Sequence, residues 1–354
     1  MPADIQMVFS DMLDRLGVAG LLRQIAASRA GLILTMNRVL PREERSLCFD
    51  PGLVVSETAF VSLLDLLQKD YQVVPLADLL ANPRGFRGRA KVAITFDDGW
   101  EDNYRIAFPH LLKYQMPATI FACTGLLDTH GLLPEERFAR LWTQCAAHST
   151  LGTLVADLRH WGLGRRKHHP ARPQKRYWFQ EIKRMPLVGR LLLLDHFEQR
   201  YQIPPVTARR FLSWEEVRVM MRTGLIGMGS HTCRHATLPA ESDRDVRLEL
   251  ETSREILLTH TGTAPDVLSY PNGMYSRRVL ELVRAAGFRA AFTGRPGLVG
   301  GGSKPLCIPR IAVRTAMDEM AVNRGEREFS SSRTSVYFFR SWLKSAIPAV
   351  AGGC

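Results

Sequence analysis

The chain of 354 residues lacks any cysteine spacing that would indicate a disulfide framework or a thiolate zinc site. Its six cysteines are irregularly placed, with no C-x-x-C pair. The first residues, MPADIQMVFSDMLDRLGV, lack a basic segment followed by an apolar core, and no apolar run is long enough to span a bilayer. These absences predict a cytoplasmic protein, with the inner face of the membrane left open as a place of contact.

Acidic residues are too few to balance the basic ones, and the formal net charge is +12. This balance favours anionic partners such as acidic glycans, an anionic membrane surface or nucleic acid, although many basic proteins bind no polyanion. Because no nucleic-acid recognition motif accompanies the charge, we expect no nucleic-acid partner. The basic segment 165–178 is either a solvated loop or a contact for an anionic substrate or lipid headgroup.

Short runs rich in β-branched residues alternate with helical patterns along most of the chain. Strands are predicted at GLILTM (31–36), YQVVPL (71–76), KVAITF (91–96) and PATIFAC (117–123), with helices such as NYRIAFPHLLKYQ (103–115) between them. The alternation stops at about 126–210, where only helical pieces are found, and it resumes at a capping-box helix that begins at Ser213. Repeated strand–helix units predict an α/β protein whose parallel sheet closes into a barrel.

The same pattern predicts the domain organisation. An N-terminal helical extension (1–30) precedes a barrel (31–320), which is interrupted by the helical insertion at about 126–210. The basic and aromatic tail (321–354) either packs on the barrel as a last helix or lies on a membrane interface.

Two neighbouring carboxylates stand at the end of the apolar strand VAITF. In a parallel α/β barrel the chemistry lies at the carboxyl ends of the strands, where the adjacent side chains of Asp97 and Asp98 can serve separate roles. Gly99 permits the turn that follows. After another strand, His231 and His235 stand four residues apart, and a helical turn would let both imidazoles reach one ion. One aspartate and two histidines suit zinc or another first-row divalent metal.

Four short motifs follow one another at predicted strand ends. They are TFDDG (95–99), SHTCRH (230–235), SYPNG (269–273) and IPRI (308–311). In this order they resemble the polysaccharide deacetylase family, also called the NodB-homology domain or carbohydrate esterase family 4. The first two motifs are specific, and the last two are looser.

This resemblance implies a metal-dependent hydrolase that removes acetyl groups from amino sugars or sugar hydroxyls, built on a distorted (β/α)7-type barrel. Matched motif to motif, it implies that Asp98, His231 and His235 hold a divalent metal, with zinc favoured and cobalt or nickel as alternatives. It also implies that Asp97 is the general base and that the backbone N–H of Asn272 stabilises the oxyanion.

The chain departs from the family pattern at the residue that orients the base. Family members usually carry an arginine where this chain has Ser269. Arg310 in IPRI is the expected substitute, since it also lies near a predicted strand. An ordinary structural arginine is the equally weighted alternative.

A second departure concerns the general acid. Relatives often place a histidine in the first strand, where this chain has Asn37, and an asparagine cannot deliver a proton at neutral pH. A late histidine is also missing, since none follows His260. The proton would then come from the insertion, with His130 and His148 as candidates, or from water.

The leading interpretation is a cytoplasmic deacetylase that acts on an acetylated sugar or on a lipid- or nucleotide-linked glycan. The alternative is a catalytically impaired carbohydrate-binding protein that retains the deacetylase fold. Asn37 supports the alternative, whereas the complete set of two aspartates and two histidines opposes it.

Overall fold

The computed structural model describes residues 30–45, 48, 50–85, 89–164 and 174–313. The predicted N-terminal extension, apart from Ala30, and the predicted tail lie outside the described residues, as does most of the basic segment, 165–173. The predicted domain boundaries therefore stay predictions.

The described residues contain eleven strands, most of them short. They are β1 (Ala30–Met36), β2 (Arg38–Leu40), β3 (Val54–Ser56), β4 (Tyr71–Val73), β5 (Ala90–Asp98), β6 (Ala118–Ala122), β7 (Ile226–Ser230), β8 (Val267–Ser269), β9 (Ala290–Phe292), β10 (Val299–Gly300) and β11 (Ile311–Ala312).

The α-helices alternate with these strands and include four consecutive ones in the insertion. They are α1 (Arg42–Arg45), α2 (Glu57–Asp70), α3 (Leu76–Ala81), α4 (Phe108–Tyr114), α5 (Pro134–Ala147), α6 (Leu151–His160), α7 (Lys175–Lys183), α8 (Leu187–Arg200), α9 (Trp214–Arg222), α10 (Asp243–Thr261) and α11 (Arg277–Ala285). None of the described helices is both long and apolar enough to cross a membrane.

Seven parallel strands form the barrel. β1, β5, β6, β7, β8 and β9 follow one another in the sheet, and each neighbouring pair is parallel. β11 pairs in parallel with β1, while Ile308 just before it forms a parallel bridge with Phe292 of β9. The ring thus closes between β9 and β1, which confirms the predicted distorted (β/α)7-type barrel.

The central strand β5 shows why a parallel sheet was predictable. Of its nine residues, AKVAITFDD, only Lys91 is not buried, as expected for a strand covered on both faces.

Helix ends also follow local sequence signals. Ser213 and Glu216 form a capping box at the start of α9, and α10 ends at Gly262, whose φ is 74°.

Two local predictions differ from the structure. The strand predicted at 71–76 is only three residues long, because the backbone turns into α3 at Leu76. The helix predicted at 103–115 begins instead as a π-helical turn over Asn103–Ala107 and becomes α-helical at Phe108. Pro109 lies at the start of that α-helix, where its missing N–H is tolerated.

Helices α5 to α8 pack around an apolar cluster of their own. Its fully buried members include Phe138, Leu154, Leu158, Leu193 and Phe197. These residues come from α5, α6 and α8, so the helices of this segment stabilise one another through shared apolar burial. The start of α5 nevertheless reaches the edge of the barrel where the motifs meet.

Candidate active site

Three of the predicted site residues converge at the carboxyl ends of β5 and β7. Asp98, His231 and His235 each bring one ligand atom to within 4.8 Å of the other two. Oδ1 of Asp98 lies 3.3 Å from Nε2 of His231 and 3.6 Å from Nε2 of His235. All three side chains are buried. The structure therefore brings together the residues predicted to hold a metal.

The histidine pair reaches this position without a helical turn, so that part of the prediction is wrong. Residues 231–235 form a loop in which Thr232 and His235 have left-handed φ values of 65° and 58°. With these two left-handed residues in the loop, the ring centroids of His231 and His235 lie 5.0 Å apart. The left-handed region is costly for residues with a Cβ and is concentrated at functional sites.

Glu249 of α10 holds this loop in place. Its Oε2 accepts hydrogen bonds from the backbone N–H groups of Cys233 (3.1 Å) and Arg234 (2.8 Å). Its Oε1 accepts another from Nε of Arg234. Glu249 is 2% exposed, so its bonds to the two backbone N–H groups are shielded from water. Sequence reasoning missed this residue, because it resembles any other charged position of the helix.

Hydrogen bonds at Nδ1 fix the orientation of both imidazoles. Nδ1 of His231 lies 2.8 Å from the carbonyl oxygen of Ser269, and Nδ1 of His235 lies 3.2 Å from Oε2 of Glu135. Both partners are acceptors, so each Nδ1 carries a proton, and Nε2 of each ring faces Oδ1 of Asp98. Metal-binding histidines are typically held in this way.

The electrostatics of the cluster favour a cation. Burial opposes the charge of Asp98, but hydrogen bonding and attraction from His231 and His235 hold its pKa below its usual range. Burial likewise opposes the charge of His231, yet the carboxylates of Asp97 and Asp98 raise its pKa. Negative charge at this buried point therefore attracts either a proton or a metal ion.

The second oxygen of Asp98 is occupied by two N–H donors. Nδ2 of Asn37 donates to Oδ2 at 2.7 Å, and the indole Nε1 of Trp100 donates to it at 2.9 Å. These bonds leave Oδ1 directed at the histidines. Asp98 itself has a φ of 74°, which turns its side chain away from that of Asp97. Asn37 thus positions Asp98, a role that the family pattern did not suggest.

Trp100 is held rigidly for this contact. Phe211 stacks on its ring with centroids 4.6 Å apart, and the guanidinium of Arg38 lies 4.3 Å from the ring centroid. Arg38 is paired through Nε with Asp102 at 2.8 Å, and both are buried. Asp102 also accepts from the backbone N–H of Val39. Asp102 therefore fixes the two residues that follow Asn37.

Asp97 is bound by Arg310 in a bidentate pair. Nη1 and Nη2 of Arg310 donate to Oδ1 and Oδ2 of Asp97 at 2.8 and 2.7 Å. Nη2 also donates to Oγ of Ser269 at 2.8 Å. Arg310 precedes β11 and reaches Asp97 through the barrel interior, where its guanidinium lies 5.6 and 5.8 Å from the rings of Phe121 and Phe292. The structure thus brings Arg310 into direct contact with Asp97, and its orienting role stays a prediction.

Asn272 adjoins the same site through its side chain. Its Nδ2 donates to Oε1 of Glu135 (3.2 Å) and to Oγ1 of Thr237 (3.3 Å). Its φ is 58°, so it is a further non-glycine residue in the left-handed region at the site. The predicted role of its backbone N–H at the oxyanion stays a prediction.

The histidines suggested as substitute acids do not join the cluster. His148 is the exposed C-cap of α5, and about 20 Å of helix at roughly 1.5 Å per residue separates it from Glu135. His148 is therefore the wrong candidate for the general acid. His130 is exposed in the loop before α5.

A sequence model described as polysaccharide deacetylase matches residues 85–291, which is more than half of the chain. The chain belongs to the polysaccharide deacetylase family. The predicted family is confirmed, and the matched range includes both aspartates, both histidines and Asn272. Asn37 and Arg310 lie outside it.

Several polysaccharide deacetylases are similar to the chain at low identity. YxkH of Bacillus subtilis (strain 168), a candidate polysaccharide deacetylase, is 22% identical over 230 residues, which are 65% of this chain and 54% of YxkH. The chain thus spans about half the length of that curated relative.

Solved structures of deacetylases share the fold. Streptococcus pyogenes deacetylase PplD, in complex with acetate, superposes with a TM-score of 0.53 at 17% identity, over 84% of this chain and 99% of PplD. IcaB from Ammonifex degensii gives a TM-score of 0.51 at 20% identity, over 81% of this chain and 92% of IcaB. At these identities the likeness supports the barrel and not a shared substrate.

Proposed function

We propose that this member of the polysaccharide deacetylase family is a metal-dependent hydrolase that removes an acetyl group from an amino sugar or glycan. The observation that carries the proposal is the meeting of two units at one end of the barrel. One is the buried cluster of Asp98, His231 and His235, and the other is the pair of Asp97 with Arg310.

The cluster fits a divalent first-row metal. Its donor set is one carboxylate oxygen and two Nε2 atoms, and both Nδ1 atoms are engaged by acceptors. Zinc is favoured, and cobalt or nickel are alternatives. A metal bound there supplies Lewis-acid chemistry, which polarises the acetyl carbonyl and lowers the pKa of water.

Asp97 acts as the general base in this proposal. Arg310 fixes the plane of the carboxylate through one hydrogen bond to each oxygen, and each oxygen keeps a second lone pair for other contacts. Asp97 accepts a proton from the attacking water. Because Asn37 is committed to Asp98 and His148 is remote, we assign the return of this proton to Asp97. The proton moves from its carboxyl group to the leaving nitrogen or oxygen of the sugar, and acetate is released.

The substrate proposal rests on the family and on charge. An acetylated polysaccharide or a sugar precursor of one suits the deacetylase family. The net charge of +12 supports a lipid- or nucleotide-linked glycan, since both linkages carry phosphate. Contact with an anionic membrane at the cytoplasmic face belongs to the same proposal.

The alternative of a catalytically impaired carbohydrate-binding protein is not favoured. Binding alone would require neither the bidentate salt bridge between Arg310 and Asp97 nor the two N–H donors that orient the carboxylate of Asp98. Bidentate pairs of this kind are ordered by several simultaneous contacts and suit a reacting carboxylate.

Acetate release from a panel of N- and O-acetylated sugars tests the proposal. Chelator-treated protein should be inactive, and zinc, cobalt or nickel should restore release. The Asp97→Asn variant, loaded with the same metal, is the matched control for the base. Release that persists after complete metal removal, or that is unchanged in Asp97→Asn, contradicts the proposed chemistry. Sugar binding without release by metal-loaded protein favours the binding-protein alternative.

A further inference from the structure

We propose that the helical insertion completes the metal centre through Glu135, which acts as a positioning residue for His235. The inference rests on the proposed metal-dependent function, and it gives the insertion a part in that function. Its basis is a buried chain of hydrogen bonds that runs from α8 through α5 to the imidazole.

Glu135 is the second residue of α5 and is 5% exposed. One carboxylate oxygen, Oε2, accepts from Nδ1 of His235 at 3.2 Å, and the other, Oε1, accepts from Nδ2 of Asn272 at 3.2 Å. The carboxylate therefore binds side chains from two separate loops of the barrel. It therefore joins the loop after β7 to the loop after β8.

Glu135 has a buried cation beside it. Arg190 of α8 is 1% exposed, and its Nη1 lies 3.5 Å from Oε1 of Glu135. A buried carboxylate is costly without an opposite charge, so this pairing supports Glu135 inside the protein.

Arg190 also ties the insertion to the barrel. Its Nη2 donates to the carbonyl oxygens of Lys183 and Met185, both at 3.2 Å, and to Oγ1 of Thr237 at 3.0 Å. Thr237 lies just after the histidine loop and also accepts from Asn272. The turn between α7 and α8 is thus linked to the residues that surround His235.

The two histidines of the cluster are oriented by different parts of the chain. His231 donates to the carbonyl of Ser269, which belongs to the barrel, whereas His235 depends on a carboxylate from the insertion. A carboxylate partner fixes the tautomer and raises the basicity of the metal-binding nitrogen more than a carbonyl does. Loss of such a partner typically weakens metal binding about 10- to 100-fold.

The neighbouring residue provides a matched control. Glu136 is also buried, at 1% exposed, and it is paired with Arg210 at 2.7 Å, without contact to His235 among its described hydrogen bonds. Glu135→Gln and Glu136→Gln both remove one buried charge from the same helical turn. If Glu135 were merely structural, the two variants would lose thermal stability and bind metal alike.

The experiment measures the zinc dissociation constant of the whole chain by competition with a chromophoric chelator. We expect Glu135→Gln to bind zinc about 10- to 100-fold more weakly than wild type, and Glu136→Gln to match wild type. Equal affinity of Glu135→Gln and wild type overturns the role of Glu135 and leaves the metal site intact. A wild-type chain that takes up no metal contradicts the proposed function instead.

A second measurement needs no substitution and covers the case in which Glu135→Gln fails to fold. In the zinc-loaded wild-type chain with nitrogen-15 histidine, the Hδ1 proton of His235 should be visible by NMR, shifted downfield and slow to exchange. Those properties follow from a buried, charge-assisted hydrogen bond to a carboxylate. A rapidly exchanging Hδ1 at His235 overturns the proposal.

Discussion

Both carboxylate oxygens of Asp97 are held by the guanidinium of Arg310, at 2.8 and 2.7 Å, across 213 positions of sequence. Ser269, which stands where family members usually carry an arginine, accepts from the same guanidinium. The orienting cation therefore enters from the segment before β11 and reaches the base from inside the barrel. The small side chain of Ser269 leaves the space that this approach requires.

Replacing Arg310 with lysine should lower turnover while zinc content stays unchanged. The ammonium group of lysine is a point charge and cannot form the planar, bidentate pair that the guanidinium of Arg310 forms with Asp97. A misplaced catalytic group can cost on the order of 10²-fold in rate. The measurement is steady-state acetate release together with metal analysis. Arg254→Lys is the control, because Arg254 binds the backbone carbonyl of Pro265 away from the site; equal losses in both variants would contradict the prediction.

Replacing Asp97 with asparagine should lower turnover by roughly 10²–10⁴-fold, the usual contribution of a general base. The amide keeps the shape of the side chain but cannot accept the proton of water. Zinc affinity should change little, because the three predicted ligands remain. Single-turnover acetate release and zinc titration of the same preparation check both statements. Full activity in this variant would show that Asp97 is not the base.

Wild-type protein should contain about one equivalent of divalent metal, and His231→Ala should lose most of it. His231 supplies one of three ligands, and its Nε2 lies beside Oδ1 of Asp98. Elemental analysis after dialysis is the measurement. His260→Ala is a matched control, since His260 stacks on Trp214 with centroids 4.1 Å apart. Retention of metal by His231→Ala would remove the proposed ligand set.

The sequence predicted the parts of the site that depend on local patterns. Strand ends, helix caps and the D-D-G and H-x-x-x-H motifs placed Asp98 and His231 correctly because parallel strands deliver their carboxyl ends to one edge. It did not predict Trp100, Glu135 or Glu249. The two glutamates bind residues at least 15 positions away, and no local periodicity distinguishes such a glutamate from one that faces solvent. Trp100 lies only two residues from Asp98, but its ring is stacked against Phe211, which is far along the chain.

Membrane contact is a separate prediction. The net charge of +12 and the basic segment 165–178 favour binding to an anionic surface. Sedimentation with anionic vesicles should pellet the protein, with less binding at higher salt, and neutral vesicles should not. Neutralising Lys175 and Arg176 of α7 should weaken the effect. Equal pelleting with both vesicle types, or with neither, would contradict the prediction.

The last prediction concerns Asn37, whose Nδ2 lies 2.7 Å from Oδ2 of Asp98. The family pattern treats this position as that of the general acid, so by itself it predicts that Asn37→Ala is harmless and that Asn37→His raises turnover. The structure changes the first expectation. Alanine removes one of the two donors that direct Asp98, and only Trp100 remains on that oxygen.

Asn37→Ala should therefore weaken zinc binding by about 10-fold or more, as expected when a partner of a metal ligand is lost. Asn37→His can still donate an N–H to Asp98, so it should bind zinc more tightly than Asn37→Ala. It also adds a group that can carry a proton at neutral pH, and its turnover at saturating zinc should equal or exceed that of wild type. Zinc titration and acetate release on the three proteins separate the two roles. If Asn37→Ala binds zinc as tightly as wild type, the 2.7 Å contact does not position Asp98. Asn37 then has no part in the metal centre. It would also have no structural role that replaces the histidine which relatives often carry at this position.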